Sequence, residues 1–269
     1  MTIKPAGHIL TDETRHAIDA VKGCVTPIFD VNEKREAELL GSAVLIEIAE
    51  EFFLCTAKHV IDDNKDSILY TDGPAEFEIL EGDFYASQKQ DIAVLKLTAA
   101  QRRSFKKYKP LRADDIANQT QAAASKYAEF VGFPETRNRK VYKQNKIVGE
   151  IYAIGGMMLE ATDAKVRVSF NRKRNIDAVT RKRVTSPDPH GMSGGAIFGI
   201  PMNATTIEGT PQPKLIGICT DWLESSPEIF GPNIAIAMAI IREGWQITLP
   251  LRLNPAHIKS RLIVIRPSA

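Results

Sequence analysis

Short apolar runs follow one another along the whole chain, and most of them are four to eight residues long. They are rich in Val, Ile and Phe and are bounded by Gly, Pro, Asp or Asn, which is typical of strands separated by turns. This pattern predicts an all-β sandwich or barrel. The runs lie at residues 24–29, 42–48, 52–57, 67–70, 92–97, 127–132, 146–154, 165–170, 195–199, 214–220 and 233–238.

Helical signals are confined to three places. Thr11 and the two acidic residues after it are typical of a helix cap, and the apolar residues at 17, 18 and 21 then predict a short amphipathic helix. Two further helices are predicted around residues 99–107 and 237–243, the second of them stopped by Gly244. The sequence contains no internal repeat, which argues against a solenoid or a propeller.

The length and composition are those of one globular unit. A pair of β-barrels commonly takes roughly 200–250 residues, so a chain of 269 residues leaves room for modest extensions. Hydrophobic residues make up 43% of the chain and charged residues 25%, which is ordinary for a globular protein. The net charge of +2 favours neither a nucleic acid nor a membrane surface as partner.

Two features bear on the compartment. The first residues contain no apolar run of the length that a signal peptide needs, and the apolar stretch 234–241 is too short to span a bilayer. Three cysteines cannot build a disulfide framework, and their apolar contexts predict buried thiols at positions 24, 55 and 219. We therefore expect a cytoplasmic protein that does not associate with membranes.

The segment Gly191-Met192-Ser193-Gly194-Gly195 is the first candidate for chemistry. A serine hydroxyl becomes a nucleophile when a base takes its proton, and the oxyanion that forms needs preorganised donors. Glycines on both sides allow the sharp backbone turn and the close approach of a substrate that such a site requires. A glycine-rich turn before a strand explains the same five residues, so the segment alone leaves both interpretations open.

A histidine and an aspartate flank two of the predicted strands. His59 follows the apolar run 52–57, and Asp91 precedes the run 92–97. Each has a structural explanation when taken alone, since a histidine there is more often structural and an aspartate before a strand is usually a turn residue. They gain significance only together with the serine.

The three segments together resemble those of trypsin/chymotrypsin-like serine peptidases. Thr56-Ala57-Lys58-His59 resembles the family's Thr-Ala-Ala-His, the stretch from Asp91 to Leu97 resembles Asp-Ile-Ala-Leu-Leu-Lys-Leu, and residues 191–195 resemble Gly-Asp-Ser-Gly-Gly. The order His, Asp, Ser is also that of this family and differs from the order in subtilisins and α/β-hydrolases. Further similarities to bacterial HtrA-type catalytic domains without a PDZ domain lie at residues 41–46, 130–134 and 215–220.

The resemblance implies an all-β fold of two six-stranded Greek-key β-barrels with a short N-terminal helix. We expect a helical extension over residues 1–21, a peptidase domain over residues 22–245 and a C-terminal extension over residues 246–269. The first barrel is expected at about 22–110 and the second at about 125–245.

The same resemblance implies a role for each site residue. His59 is expected to accept the Ser193 proton, and Asp91 to orient the imidazole. The N–H groups of Gly191 and Ser193 would form the oxyanion hole. Thr220 would hydrogen-bond Asp91, and the substrate-binding backbone of Thr220, Asp221 and Trp222 would pair with an extended peptide. No metal and no cofactor are expected, because the five histidines show no ligand spacing.

Several positions depart from the family pattern. Met192 replaces the aspartate with which secreted members bind a newly cut N-terminus, so activation of that kind is not expected. Val60 replaces a disulfide cysteine. Pro187 occupies the position of the aspartate that selects basic side chains, although Asp188 is adjacent. Asp188 and, if it faces the cleft, Asp221 favour basic side chains. Trp222 stands where open pockets have glycine, and its bulk favours small side chains, so small or basic side chains are expected.

The favoured function is therefore a serine endopeptidase, an intracellular regulatory or defence-type protease acting on protein or peptide substrates, with a regulatory protein partner as a further expectation. A catalytically silent protease-fold binding module is the alternative. The basic cluster in residues 172–183 leaves nucleic-acid binding open, but a solvated hairpin explains it too, and no aromatic side chains for base stacking are interleaved.

Overall fold

The computed structural model describes residues 17–31, 37–72, 77–138, 149–176, 180, 182–201, 212–223, 225–255 and 257–268. The predicted cap at Thr11 lies outside these residues, whereas residues 17–21 are helical as predicted. The described residues form the strands β1 Val25–Val31, β2 Ala37–Ile48, β3 Glu51–Thr56, β4 Tyr70–Asp72, β5 Phe77–Ile79, β6 Phe84–Ser87, β7 Ala93–Lys96, β8 Leu111–Arg112, β9 Ser125–Gly132, β10 Tyr152–Ala161, β11 Lys165–Ser169, β12 Asn175–Ile176, β13 Arg183–Val184, β14 Ala196–Pro201, β15 Lys214–Ile218, β16 Asp221–Leu223, β17 Glu228–Pro232 and β18 Leu262–Ile265.

Short helices connect these strands. The α-helices are α1 Lys58–Asp62, α2 Ala99–Ser104, α3 Gln119–Ala124, α4 Glu135–Asn138 and α5 Ile234–Trp245. Single 3₁₀ turns occupy Lys22–Cys24, Phe105–Lys107, Ala113–Asp115, Arg172–Arg174 and Leu251–Leu253. In the described part of the chain, none of the helices combines the length and the hydrophobicity that a bilayer span requires.

The strands form two large antiparallel sheets with the same Greek-key connectivity. The first sheet has the order β18-β6-β7-β3-β2-β1-β4-β5, and the second has the order β15-β14-β9-β10-β11-β17-β16. In the first sheet β1, β2 and β3 pair in sequence, β4 pairs with β1 and β7 pairs with β3. In the second sheet β9, β10 and β11 pair in sequence, β14 pairs with β9 and β17 pairs with β11. A bridge between Gly217 and Asn233 brings the two sides of the second sheet together. The all-β, two-barrel prediction is confirmed.

The sheets are larger than the six strands expected for each. The first contains nine strands within the described residues, because β18 from the C-terminal extension pairs with β6 and the short β8 lies parallel to β2. The second contains seven, because β16 adds an edge beside β17. The chain passes from one sheet to the other between β8 and the bridge of Ile116 to Leu215.

The prediction of a strand at residues 233–238 was wrong. Asn233 caps helix α5 by accepting the N–H of Ala235 at 2.9 Å, so the apolar run that follows is helical. Almost every residue of α5 up to Ile241 is buried, and a helix buried on all sides has the same apolar pattern as a buried strand. Gly244 does not stop the helix, which ends at Trp245 with Gln246 in the left-handed conformation (φ 55°).

One hydrophobic cluster joins the two sheets. It contains Val44 and Phe53 of the first sheet, Val131 and Ala196 of the second, and much of α5. Because both sheets bury side chains in this shared core, their facing edges are fixed relative to each other. The candidate residues for catalysis lie at this junction.

Candidate active site

His59 enters the site from a short helix that follows β3. The strand ends at Thr56, and Ala57 is the extended residue before α1. His59 therefore lies in the first turn of a helix, whereas the sequence predicted it at a strand end.

Strand pairing brings Asp91 to His59. Strands β3 and β7 are antiparallel with Thr56 opposite Ala93, so the residues after β3 lie beside those before β7. The Asp91 carboxylate receives two hydrogen bonds from one residue. Its Oδ2 lies 2.6 Å from the His59 Nδ1, and its Oδ1 accepts the His59 backbone N–H at 2.9 Å.

The pair shifts both pKa values. The hydrogen bond and the charge of Asp91 raise the pKa of His59 above its ordinary value, against the opposing effect of burial, and the carboxylates of Asp63 and Asp221 add to the increase. Burial raises the pKa of Asp91, but hydrogen bonds and charge from His59 outweigh burial and leave that pKa below its ordinary value. Asp91 is thus a carboxylate that favours a proton on Nδ1.

Ser193 lies in a turn with two glycines in the left-handed region. Gly191 has φ 86° and Gly194 has φ 87°, conformations that residues with a Cβ rarely adopt. Space is also restricted, since a Cβ on Gly194 would lie 1.9 Å from the Ser42 carbonyl oxygen. The glycines in this motif are required by the backbone itself, as the sequence indicated.

The four carbonyl groups from His190 to Ser193 all accept hydrogen bonds. The His190 carbonyl accepts the Glu135 N–H at 2.7 Å, and the Gly191 carbonyl accepts the Ser42 Oγ–H at 3.0 Å. The Met192 carbonyl accepts the Gly195 N–H at 2.9 Å, and the Ser193 carbonyl accepts the Ser42 N–H at 2.7 Å. A trans peptide directs its N–H opposite to its carbonyl, so each of these bonds also orients an N–H.

The N–H groups of the same turn behave differently. Met192 donates to the Pro189 carbonyl at 2.8 Å. No group among the described residues accepts a hydrogen bond from the N–H of Gly191 or of Ser193. Backbone donors are almost always paired in folded proteins, so two neighbouring unpaired ones constitute a candidate anion-binding position.

The Ser193 hydroxyl does not contact His59 in this structure. It donates to the Thr220 carbonyl at 3.3 Å, and no hydrogen bond joins Ser193 to His59 among the described residues. Both side chains nevertheless line the same cavity of about 330 Å³. The cavity is lined by His59, Asp91, Pro189, His190, Ser193, Cys219, Thr220, Asp221 and Trp222.

Thr220 differs from its expected role. Its side chain makes no hydrogen bond to Asp91 in the described part of the structure, and its carbonyl instead accepts the Ser193 hydroxyl. The predicted substrate-binding residues Asp221 and Trp222 begin β16, the outermost strand of the second sheet. One side of β16 pairs with β17, which leaves its other edge at the cavity.

The wall beside the nucleophile is built from aromatic and charged side chains. The Trp222 ring lies 6.1 Å from His190 and 6.1 Å from Phe170, centroid to centroid. Asp188 accepts from Arg172 at 3.0 Å and also pairs with the His190 Nδ1. Burial raises the pKa of Asp188, but His190 and Arg172 outweigh that effect and leave the pKa below its ordinary value. Asp188 is therefore engaged inside the wall and does not line the cavity.

A second cavity of about 260 Å³ lies on the other side of His59 and Asp91. It is polar, with Lys58, Asp62, Asp63, Gln88, Lys89 and Gln90 as its remaining lining residues. His59 and Asp91 line both cavities, so this pair separates the cavity that contains Ser193 from the polar one. Within the described residues, no cluster of three or more His, Cys, Asp or Glu side chains could hold a metal ion.

Two contributors to the site were missed in the sequence. Ser42 and Glu135 hold carbonyls of the nucleophile turn, although neither is close to it in the chain. The signal for Ser42 is a hydroxyl in the middle of an apolar strand, where it is wholly buried. Glu135 acts through its backbone N–H, for which no sequence signal exists.

Part of the basic cluster lies at the same wall. Arg172 binds Asp188 and the Ser186 carbonyl, while Lys173, Lys182 and Arg183 are exposed. Residues 177–179 and 181 lie outside the described residues. Binding of a nucleic acid to this cluster stays a prediction.

The paired Greek-key sheets with a cleft at their junction define a trypsin/chymotrypsin-like serine peptidase fold. Among solved structures, the chain is similar to the HtrA-type protease AlgW with tripeptide, at a TM-score of 0.50 and 18% sequence identity over 86% of this chain. A variant of the same protease with tripeptide matches with the same values. This chain spans 64% of the length of those chains. No family model and no curated protein sequence matches it.

Proposed function

We propose that the chain is a serine endopeptidase that hydrolyses peptide bonds through an acyl-enzyme on Ser193. The observation that carries the proposal is the convergence of three features in one cleft. They are a histidine paired with a carboxylate at 2.6 Å, a serine hydroxyl, and two backbone N–H groups beside that hydroxyl for which the described residues supply no acceptor. A regulatory or defence role inside the cell stays a prediction.

In the proposed mechanism, the Ser193 side chain rotates from the Thr220 carbonyl toward His59. The His59 Nε2 takes the hydroxyl proton as Oγ attacks the substrate carbonyl carbon, and the N–H groups of Gly191 and Ser193 stabilise the oxyanion. The imidazolium then gives that proton to the leaving amine, and the C–N bond breaks. Water attacks the acyl-enzyme in the same way and releases the acid. Asp91 stays ionised and stabilises the imidazolium.

The edge of β16 is the proposed docking strand for the substrate. An extended peptide that pairs with residues 220–222 would place its side chains alternately toward and away from the cavity. Trp222 lies against His190 in the cavity wall, so the space for the side chain before the scissile bond is small. Asp188 is engaged by Arg172 and His190, so it offers no free carboxylate for a basic side chain. Asp221 also lines the cavity, but Trp222 limits the space, so we infer a preference for small side chains.

Replacing Trp222 by glycine is expected to widen this preference. The test is a peptide series that differs only in the residue before the scissile bond. Relative to the alanine peptide, kcat/KM for the phenylalanine peptide is expected to rise about tenfold or more, the effect of one well-filled apolar pocket. An unchanged ratio, or wild-type preference for arginine or lysine, would contradict the assignment of this wall.

Covalent labelling by a fluorophosphonate tests the proposed activity itself. The wild-type protein is expected to be labelled on Ser193, and Ser193→Ala to remain unlabelled. Ser260→Ala is the matched control, since it removes a hydroxyl remote from the cavity lining. Absence of label on the folded wild-type protein, with peptides also left uncut, favours the silent binding module.

A further inference from the structure

We propose that Ser42 is the positioning residue that holds the oxyanion turn in its receptive conformation. This inference rests on the proposed function and concerns how the nucleophile turn keeps its shape. Ser42 lies in the middle of β2 in the first sheet, whereas the turn precedes β14 of the second sheet. One side chain from the first sheet thus controls a backbone conformation that belongs to the second.

Ser42 contacts the turn on both sides of the nucleophile. Its Oγ donates to the Gly191 carbonyl at 3.0 Å, and its backbone N–H donates to the Ser193 carbonyl at 2.7 Å. Of the four turn carbonyls, Ser42 therefore holds two. The other two are held by Glu135 of the second-sheet side and by Gly195 within the turn.

The Ser42 hydroxyl both donates and accepts a hydrogen bond. While it donates to Gly191, it accepts the Phe133 N–H at 3.0 Å. A wholly buried hydroxyl with one donor proton committed to one carbonyl has a single favourable orientation. The Ser42 carbonyl is held as well, by the Thr56 Oγ1 at 2.7 Å, so the residue is fixed on every polar atom.

Close packing keeps the hydroxyl in place. A Cβ on Gly132 would lie 3.1 Å from the Ser42 Oγ and 3.1 Å from the Met192 Cα. Because Gly132 has no side chain, the Ser42 hydroxyl and the turn can both pack against its backbone. Any motion of Ser42 must move Gly191 or Phe133 with it.

The consequence concerns the direction of the Gly191 peptide groups. Gly191 has φ 86° and, as a glycine, has several alternative conformations of similar energy. The bond from Ser42 fixes the peptide after Gly191, as the bond from Glu135 to the His190 carbonyl fixes the peptide before it. Met192, buried in the same turn, has no charge with which to anchor it. The peptide that Ser42 holds by its carbonyl carries the Met192 N–H, which donates to the Pro189 carbonyl. This peptide lies between the two peptides that carry the N–H groups of Gly191 and Ser193, so a rotation of it displaces both of those donors.

Kinetics of Ser42→Ala test the proposal. The backbone bond to Ser193 remains in this variant, and only the hydroxyl bonds to Gly191 and Phe133 are lost. Per active site titrated with the fluorophosphonate, kcat is expected to fall about a hundredfold, the usual effect of a misplaced oxyanion donor. KM is expected to change little, and the acid limb of the pH profile is expected to stay in place, because His59 and Asp91 are untouched. Ser42→Thr, which keeps the hydroxyl, is expected to recover most of kcat.

Thr71→Val is the matched control for loss of a buried hydroxyl. The Thr71 Oγ1 donates to the Pro27 carbonyl at 2.8 Å and pairs with Thr26, and Thr71 lies in β4, three strands away from β3 in the first sheet. This variant is expected to lose stability without a loss of kcat per titrated site. If Ser42→Ala behaves like Thr71→Val, the role of Ser42 is only structural and the proposal is overturned.

A crystal structure of Ser42→Ala gives a second measurement that does not depend on activity. The peptide between Gly191 and Met192 is expected to rotate, and the N–H groups of Gly191 and Ser193, which lie on the peptides before and after it, are expected to move from their present positions. A turn unchanged from the wild-type structure overturns the proposal even if the wild-type protein proves inactive. Conversely, an inactive wild-type protein with a displaced turn in the variant contradicts the proposed activity and supports the role of Ser42.

Discussion

Replacing His59 by alanine is expected to lower kcat/KM for peptide hydrolysis by about 10⁶-fold, the order of magnitude seen when a catalytic base or its nucleophile is removed. The physical reason is that the His59 imidazole is the group proposed to take the Ser193 proton, and its partner Asp91 cannot replace it. Asp91 has its two oxygens directed to His59, and its pKa lies below the ordinary value. Without the imidazole, the serine remains a neutral alcohol at neutral pH.

The measurement is the steady-state hydrolysis of the best peptide of the series, with enough enzyme to detect the residual rate. A double variant of His59→Ala with Ser193→Ala is expected to be no slower than either single variant, because the two residues act as one unit. His257→Ala is the matched control. It removes a surface histidine that also pairs with a carboxylate, Asp163 at 2.9 Å, and is expected to have the activity of the wild type.

His190 is the residue that decides the outcome if this prediction fails. It lines the same cavity as Ser193, but its Nδ1 is turned to Asp188 and it precedes the nucleophile by three residues. Activity kept in His59→Ala and lost in His190→Ala would reverse the assignment of the base.

The sequence predicted the catalytic candidates because their chemistry is local. Ser193 needs glycines beside it, and both left-handed residues of the turn are glycines. The pairing of His59 with Asp91 follows from the register of β3 and β7, which no local signal specifies. Their proximity was implied only by the resemblance of the motifs, and the structure gives the physical cause.

The parts of the fold that were missed depend on tertiary packing. The buried run of α5 has no periodic alternation, so only the cap at Asn233 distinguishes a helix from a strand there. Strand β18 forms because the edge of β6 is free to accept it, and its four apolar residues alone do not indicate a partner. From the sequence, Ser42 is recognised only as part of an apolar strand. Its hydroxyl partners, Gly191 and Phe133, are each more than ninety residues away along the chain and belong to different motifs.

Replacing Asp91 by asparagine is expected to lower kcat by about 10⁴-fold, as in other triads of this kind. The carboxylate accepts two hydrogen bonds from His59, one from Nδ1 and one from the backbone N–H. An asparagine has one acceptor oxygen and one NH₂ group at the same two positions. If its oxygen keeps the backbone bond, its NH₂ group faces Nδ1 and selects the tautomer with a proton on Nε2, which cannot accept the proton of Ser193.

The pH dependence of the same variant has a definite sign. Asp91 raises the pKa of His59, and the base must be neutral, so the acid limb of kcat/KM in the wild type is expected above the ordinary histidine value of about 6.5. Loss of the carboxylate lowers the pKa of His59, so the limb of the residual activity moves to lower pH. Asp63→Asn, which removes a charge that is not hydrogen-bonded to His59, is expected to move the limb down slightly without the 10⁴-fold loss.

Stability gives an independent test of the same pair. The lowered pKa of Asp91 contributes stability that is present above its unfolded pKa and is lost as the pH falls through its folded pKa. The raised pKa of His59 contributes stability that is fully present below its unfolded pKa and is lost as the pH rises through its folded pKa. The difference in unfolding free energy between wild type and Asp91→Asn is therefore expected to be largest between the unfolded pKa of Asp91 and the unfolded pKa of His59, and to fall as the pH passes through the folded pKa values on either side. A difference that does not fall as the pH leaves that window on either side would mean that the two side chains are not paired in solution, and the 10⁴-fold loss would then need another cause.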